Sequence, residues 1–273
     1  MKRTLLIITI ILIILTAGKG FCQQDYKDYY NSGNEKFKKG DFNGAITDFT
    51  VSIQLNPKYV NSYNCRGMAY TALDQSQDAI TDFNMAIKLD PKLFSAYYNR
   101  ANVYYKLFQY DSAFFDYKAA ISLKPDYADA YNSRGILYYD LKQYNDAIKD
   151  FNKCIELTPK NFSPYLNRGK AYYMLKMYNM ALQDFNKALE LNPVNEKINI
   201  WRGMTYLEMG EYNKALEDYN TAIKANSKIA EYYVGRGITY IKLEETEKAC
   251  KDFNQANYLT YKSADEYIEK YCK

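Results

Sequence analysis

Two charged columns recur along this chain. Arginine stands at Arg66, Arg100, Arg134, Arg168, Arg202 and Arg236, always 34 residues apart. Aspartate stands at Asp48, Asp82, Asp116, Asp150, Asp184, Asp218 and Asp252 with the same period. Guanidinium and carboxylate form bidentate pairs, so the first chemistry the sequence offers is a ladder of ion pairs. Joining each Arg to the Asp of the preceding copy predicts Asp48–Arg66, Asp82–Arg100, Asp116–Arg134, Asp150–Arg168, Asp184–Arg202 and Asp218–Arg236. The first copy has no Asp before it, and there the Arg column reads Ser32, which favours pairing between copies. The alternative is two solvated columns without contact, where exposed pairs contribute only ~0–1 kcal/mol each.

Catalytic chemistry is not written here. The chain has no histidine, the commonest general base and metal ligand. Its cysteines, Cys22, Cys65, Cys154, Cys250 and Cys272, form no CxxC pair. No glycine-rich phosphate loop is present, and acidic neighbours such as Asp78 and Asp82 read as one solvated helix face. The reading is therefore not an enzyme, with no catalytic residue, metal site or cofactor. Cys65 and Cys154 read as small packing residues.

The elements that position these columns repeat with them. After the Arg column comes Gly33, Gly67, Ala101, Gly135, Gly169, Gly203 or Gly237. Further on stand Ala45, Ala79, Ala113, Ala147, Ala181, Ala215 and Ala249, three residues before each Asp. An aromatic follows each Asp, and proline closes most copies, at Pro57, Pro91, Pro125, Pro159 and Pro193, with Ser227 as the break. A period of this size marks stacked supersecondary units rather than one compact core. Apolar residues within a copy follow a helical period: Tyr131, Gly135, Tyr138 and Leu141, then Ala147, Ile148, Phe151 and Ile155. Each copy is thus two amphipathic helices. Asn145 and Asp111 fall where second helices would begin and could cap them. The Gly/Ala columns allow close helix crossing. A third small column, Ser52, Ala86, Ala120, Cys154, Ala188, Ala222 and Ala256, would let the second helix approach the next copy.

These columns resemble the tetratricopeptide repeat (TPR), whose pattern is W-x2-L-G-x2-Y, then A-x3-F, then P. The first aromatic appears as Tyr29, Tyr63, Tyr97, Tyr131, Tyr165 and Tyr233, with Asn199 as the exception. The later Tyr appears from Tyr70 to Tyr240, with Lys36 in its place in the first copy, and the leucine before Gly is Arg here. The resemblance implies an all-α fold: an α-solenoid of about seven helix-turn-helix repeats in a right-handed superhelix. The repeats would span 26–59, 60–93, 94–127, 128–161, 162–195, 196–229 and 230–262, and residues 263–273 would form a capping helix. Ser263 could cap that helix, Asp265 and Glu266 suit its start, and Lys270 suits its end.

The first 22 residues differ in kind. Lys2 and Arg3 precede an apolar run, Leu5 to Leu15, and small residues follow. That is the layout of a secretory signal peptide, residues 1–22. A retained anchor is the alternative, although the run is short of the ~20 residues of a spanning helix. Cleavage after Gly20 or after Cys22 both fit. Cys22 resembles a lipid-bearing cysteine only loosely, because Phe21 precedes it. The reading is export to the periplasm or envelope, or secretion, with no membrane span in the mature chain. Residues 1–22 carry three basic side chains and no acidic one, so the net charge falls from +4 to +1. A near-neutral chain has no global field to gather nucleic acid.

Export brings an oxidising compartment. If the last repeat helix and the closing helix form an antiparallel hairpin turning near Tyr261, Cys250 and Cys272 lie opposite one another, and exported proteins of the family look similar here. A Cys250–Cys272 disulfide is expected, with two free thiols as the alternative.

The family serves many partners, so the resemblance implies a class rather than an activity. It places a partner groove on the first helix of each repeat. There the copies read Tyr30, Asn34 and Phe37; Asn64, Met68 and Thr71; Tyr98, Asn102 and Tyr105; Asn132, Ile136 and Tyr139; Leu166, Lys170 and Tyr173; Ile200, Met204 and Leu207; Val234, Ile238 and Ile241. The first half is aromatic and amide-rich, the second apolar. This implies a protein-interaction scaffold holding a peptide or partner helix, with a purely architectural envelope subunit as the alternative. An RNA-binding helical repeat fits less well.

Overall fold

A computed structural model describes residues 25–272. The leader at 1–22, its cleavage points and the lipid reading of Cys22 lie outside the described residues. Among the described residues there are fifteen helices and no strand. They fall into two compact units, one ending at Leu123 and one beginning at Lys124. The first unit holds α1 (Tyr26–Lys38), α2 (Phe42–Leu55), α3 (Val60–Ala72), α4 (Ser76–Leu89), α5 (Phe94–Lys106) and α6 (Tyr110–Leu123). The second holds α7 (Ala128–Asp140), α8 (Tyr144–Leu157), α9 (Phe162–Met174), α10 (Tyr178–Leu191), α11 (Glu196–Glu208), α12 (Tyr212–Ala225), α13 (Ala230–Lys242), α14 (Thr246–Tyr258) and α15 (Ala264–Tyr271). In each unit consecutive helices pack as antiparallel neighbours, the arrangement of an α-solenoid.

Packing follows from the small columns. In α8 the buried residues are Ala147, Asp150, Phe151 and Cys154, the one-sided spacing of an amphipathic helix. A methyl added to Gly33, Gly67, Gly135, Gly169 or Gly237 would lie 2.6–2.7 Å from the phenylalanine ring of the second helix in the same repeat. The glycine is there because the ring face occupies the place of a side chain. The third small column is wholly buried. Ser52 shows its use: its hydroxyl lies 2.7 Å from that of Ser62 in the next repeat, and Ala86 packs with Ala96 in the same way.

Each first helix ends on a left-handed residue. This column reads Gly40, Asp74, Phe108, Lys142, Lys176, Gly210 and Glu244, with φ between 58° and 81°. The next N–H and this one donate back into the helix: Gln143 N–H to the Tyr138 carbonyl at 2.8 Å, Lys142 N–H to Tyr139 at 2.9 Å. That is a Schellman stop, which satisfies the last carbonyls and turns the chain into the second helix.

The expected caps are corrected. Asn145 is the second residue of α8, whose cap position is Gln143 with no side-chain capping bond. Asp111 likewise lies inside the first turn of α6, where it complements the helix dipole. Ser263 precedes α15, but its backbone is already helical (φ −67°, ψ −10°) and its hydroxyl makes no capping bond. A capping side chain needs extended backbone to reach the N–H groups two and three residues on.

Candidate functional site

The Arg and Asp columns do meet, in a different register from the expected one. Arg66 donates through Nε–H and Nη2–H to Asp82 at 2.7 and 2.8 Å. Arg100 grips Asp116, Arg134 Asp150, Arg168 Asp184, Arg202 Asp218 and Arg236 Asp252 in the same two-toothed geometry. Each pair joins the two helices of one repeat. The proposed partners in the preceding repeat are therefore wrong, including Asp48, which accepts from Ser32 at 2.6 Å and pairs with Lys36 at 2.7 Å. Ser32 marks where Lys36 has taken over the arginine's role, not a missing neighbour. The reason is reach: sixteen residues on, across the helical hairpin, the carboxylate faces the guanidinium edge-on.

The remaining nitrogen provides the link between repeats. Arg66 Nη1–H donates to Thr50 Oγ1 at 2.9 Å, and Arg100 Nη1–H donates to Asn84. In the second unit Arg168, Arg202 and Arg236 donate to Asn152, Asn186 and Asn220 at 2.5, 2.7 and 2.6 Å. Most of these guanidiniums also lie between two tyrosines, as Arg66 does between Tyr63 and Tyr70 at 5.9 and 5.8 Å. The first tyrosine is held by its own bond, Tyr63 O–H to the Pro57 carbonyl at 3.2 Å. The aspartate side chains are only 4–9% exposed. The bond to Asp218 raises Arg202, and that to Asp252 raises Arg236, which keeps both charged. The charged columns thus hold the two helices of a repeat together and link it to its neighbour.

Cys250 in α14 and Cys272 after α15 are joined by a disulfide, with their Cα atoms 5.6 Å apart. The bond ties the closing helix to the last repeat, where Tyr267 also stacks on Phe253 at 5.0 Å. Cys154 is buried, and the Cys65 thiol donates to the Tyr30 hydroxyl at 3.8 Å. Burial pushes both thiols up, so neither is an activated nucleophile. Among the described residues no group of three or more His, Cys, Asp or Glu could hold a metal ion. None of the described helices is long and apolar enough to cross a membrane.

The variable positions of the first helices line cavities within each unit. In the first unit Phe37, Met68, Thr71 and Asn102 line one of about 250 Å³. In the second, Ile136, Tyr139 and Lys170 line another of about 250 Å³. Tyr173, Ile200, Met204, Leu207, Val234 and Ile238 line a third of about 420 Å³. Other expected groove residues serve packing: Asn64 and Leu166 are buried. The amides are partly engaged by the protein itself. Asn102 Oδ1 accepts from the Tyr117 hydroxyl at 2.7 Å, and Asn132 Oδ1 from Asn167 at 3.2 Å. Tyr30, Tyr98 and Tyr105 lean on Phe49, Tyr117 and Tyr110 at 6.0, 6.1 and 5.9 Å. Asn34 is half-buried in α1, and Ile241 is half-buried near the end of α13. Burial pushes the Tyr30 and Tyr173 phenols up to about 12. Burial, then Lys197, lowers Lys170, whose ammonium sits 5.4 Å from the Trp201 ring.

Three features were not read from the sequence: the left-handed column, the asparagines that receive the arginines, and Gly235. The last was visible as the glycine in a column that otherwise reads Asn31, Cys65, Asn99, Ser133, Asn167 and Trp201.

Helix pairs with these fixed seams define an α-helical repeat scaffold. A TPR repeat profile matches residues 33–74, 67–107, 137–176 and 203–244. Tetratricopeptide repeat profiles match 94–127 and 163–195, 116–149 and 185–217, and 230–263. These matches run without a gap from residue 33 to 263, and the chain belongs to the tetratricopeptide repeat family. Proteins of this family generally mediate protein–protein interactions, and the fold is typically a non-catalytic scaffold. A TPR protein from Parabacteroides merdae ATCC 43184 is similar in fold, with a TM-score of 0.68 at 23% identity over 91% of this chain and 99% of its own. The MamA protein superposes with a TM-score of 0.55 at 28% identity, over 62% of this chain and 92% of its own. YrrB, described as a TPR protein with an unusual peptide-binding site, gives 0.57 at 23% identity over 69% of this chain and 97% of its own. No curated protein matches the chain.

Proposed function

We propose that this chain is an exported, non-catalytic scaffold of the cell envelope that holds a peptide or partner helix along its first-helix face. One observation carries the reading. The cavities of both units fall on the helix positions where the repeats stop resembling one another. A packing seam repeats its residues; a recognition face must vary them. In the first unit, amide N–H groups such as that of Asn102 donate to the occupant's main chain. In the second, the apolar stretch from Ile200 to Ile241 receives the apolar side chains of a bound segment. Main-chain bonding with a few anchors is a known mode of peptide capture. That YrrB is described as having a peptide-binding site fits this reading.

The test is capture from envelope extract by the tagged chain and two variants, Asn102→Ala and Ile238→Asp. Each variant should retain its helical circular dichroism and lose about tenfold in partner affinity. Unchanged capture of the same partners by both would remove the groove as the site.

A further inference from the structure

The largest of the three cavities comes from a departure in the sixth repeat. Where the second-helix aromatic is Phe, its ring lies against the glycine of its own first helix. Tyr219 does not: a methyl on Gly203 would be 3.5 Å from its Cζ. A methyl on Gly235, in the next repeat, would be 2.5 Å from Tyr219 Cε1 and 2.9 Å from its hydroxyl oxygen. The ring leans toward α13, into space that a side chain at 235 would fill. Its hydroxyl is buried and has no hydrogen-bond partner. An orphaned buried hydroxyl is costly unless something bonds it. Tyr219 lines the cavity of about 420 Å³, whose walls include Ile200, Met204, Val234 and Ile238. The other polar side chains that line it besides Tyr173 are Glu208 and Glu231, and no lysine or arginine does.

Resting on the peptide-scaffold reading above, we propose that this cavity is an anchor site for a tyrosine flanked by basic residues in the bound segment. The anchor's ring lies among the aliphatic walls. Its hydroxyl bonds that of Tyr219, and the neighbouring lysines or arginines meet Glu208 and Glu231. The site therefore selects on three counts: an apolar ring, a polar tip and adjacent positive charge. Gly235 is its specificity-determining position, because a side chain there displaces Tyr219.

The probes are fluorescein-labelled peptides of sequence GSGKYKGSG, GSGKFKGSG, GSGKAKGSG and GSGEYEGSG, titrated into the full chain by fluorescence polarisation. GSGKYKGSG should bind about tenfold more tightly than the alanine and glutamate peptides, and more tightly than the phenylalanine peptide. Tyr219→Phe should abolish the preference for tyrosine over phenylalanine while leaving phenylalanine binding intact. The double variant Glu208→Gln/Glu231→Gln should abolish the preference for lysine over glutamate. Both variants change atoms at a cavity wall or rim, and circular dichroism checks their folding. Equal affinity for all four peptides, absence of binding, or a tyrosine preference that survives Tyr219→Phe would overturn the proposal. If partner capture still depends on Asn102 and Ile238 in that case, the anchor assignment fails and the scaffold reading stands. If capture does not depend on them, the scaffold reading itself has failed.

Discussion

Arg66 and Asp82 are joined by two parallel hydrogen bonds across one helical hairpin, while Asp48, in the preceding repeat, pairs with Lys36. A planar fork on a nearly buried carboxylate leaves neither charge unanswered, and removing one partner strands the other. A double-mutant cycle tests the register. Arg66→Ala and Asp82→Ala should show a coupling energy of roughly 1–3 kcal/mol in chemical denaturation. Arg66→Ala and Asp48→Ala should be additive. Coupling in the second cycle and none in the first would restore the register between repeats.

Lys142 and Lys176 hold φ near 59° and 58°, where Gly40 and Gly210 stand in other repeats. A left-handed residue with a Cβ costs ~1–2 kcal/mol, and part of the gain from glycine is lost to a freer unfolded chain. Lys142→Gly and Lys176→Gly should each stabilise by about 0.5–1 kcal/mol, and Gly210→Ala should destabilise by about 1–2 kcal/mol. Thermal melts of the three variants decide the matter, and a lower melting point for both glycine variants would contradict it.

The Cys250–Cys272 bond closes a sequence separation of 22 residues. A loop of that size stabilises by about 3 kcal/mol in the chain-entropy account. Cys272→Ser should therefore increase hydrogen exchange in α15 and α14 while leaving α1–α6 unaffected. Thiol titration of the unfolded, unreduced chain should find Cys250 and Cys272 blocked. If both react, the pair is not oxidised.

Alkali should unfold this protein in a defined window. Burial raises Tyr30 and Tyr173 to about 12 and raises Tyr219 as well, against about 10 in the unfolded chain. Between those values the folded state keeps phenolic protons that the unfolded state has lost. Stability is therefore full below pH ~10 and falls as pH rises toward 12. Tyrosinate absorbance and helical circular dichroism should change together over the upper part of that range. Complete tyrosinate formation with the helical signal unchanged would show these rings to be accessible.

Much of this molecule was legible before any coordinates, because a repeat writes its constraints many times over. The glycine opposite Phe151, the buried Ala147 and the terminating prolines each recur in register. A 3.6-residue period then leaves little choice but paired helices, since only that arrangement buries one face of each. The arginine and aspartate columns announced that they had partners. They did not say which, because two carboxylates stand at nearly equal distances along the chain from each arginine, eighteen residues before and sixteen after. The hairpin decided in favour of the second by placing its carboxylate edge-on to the fork. The leaning of Tyr219 into the space over Gly235 belongs to tertiary structure in the same way. Linear spacing records which residues share a helix face, whereas the direction of a ring depends on the volume left by a neighbour in the next repeat.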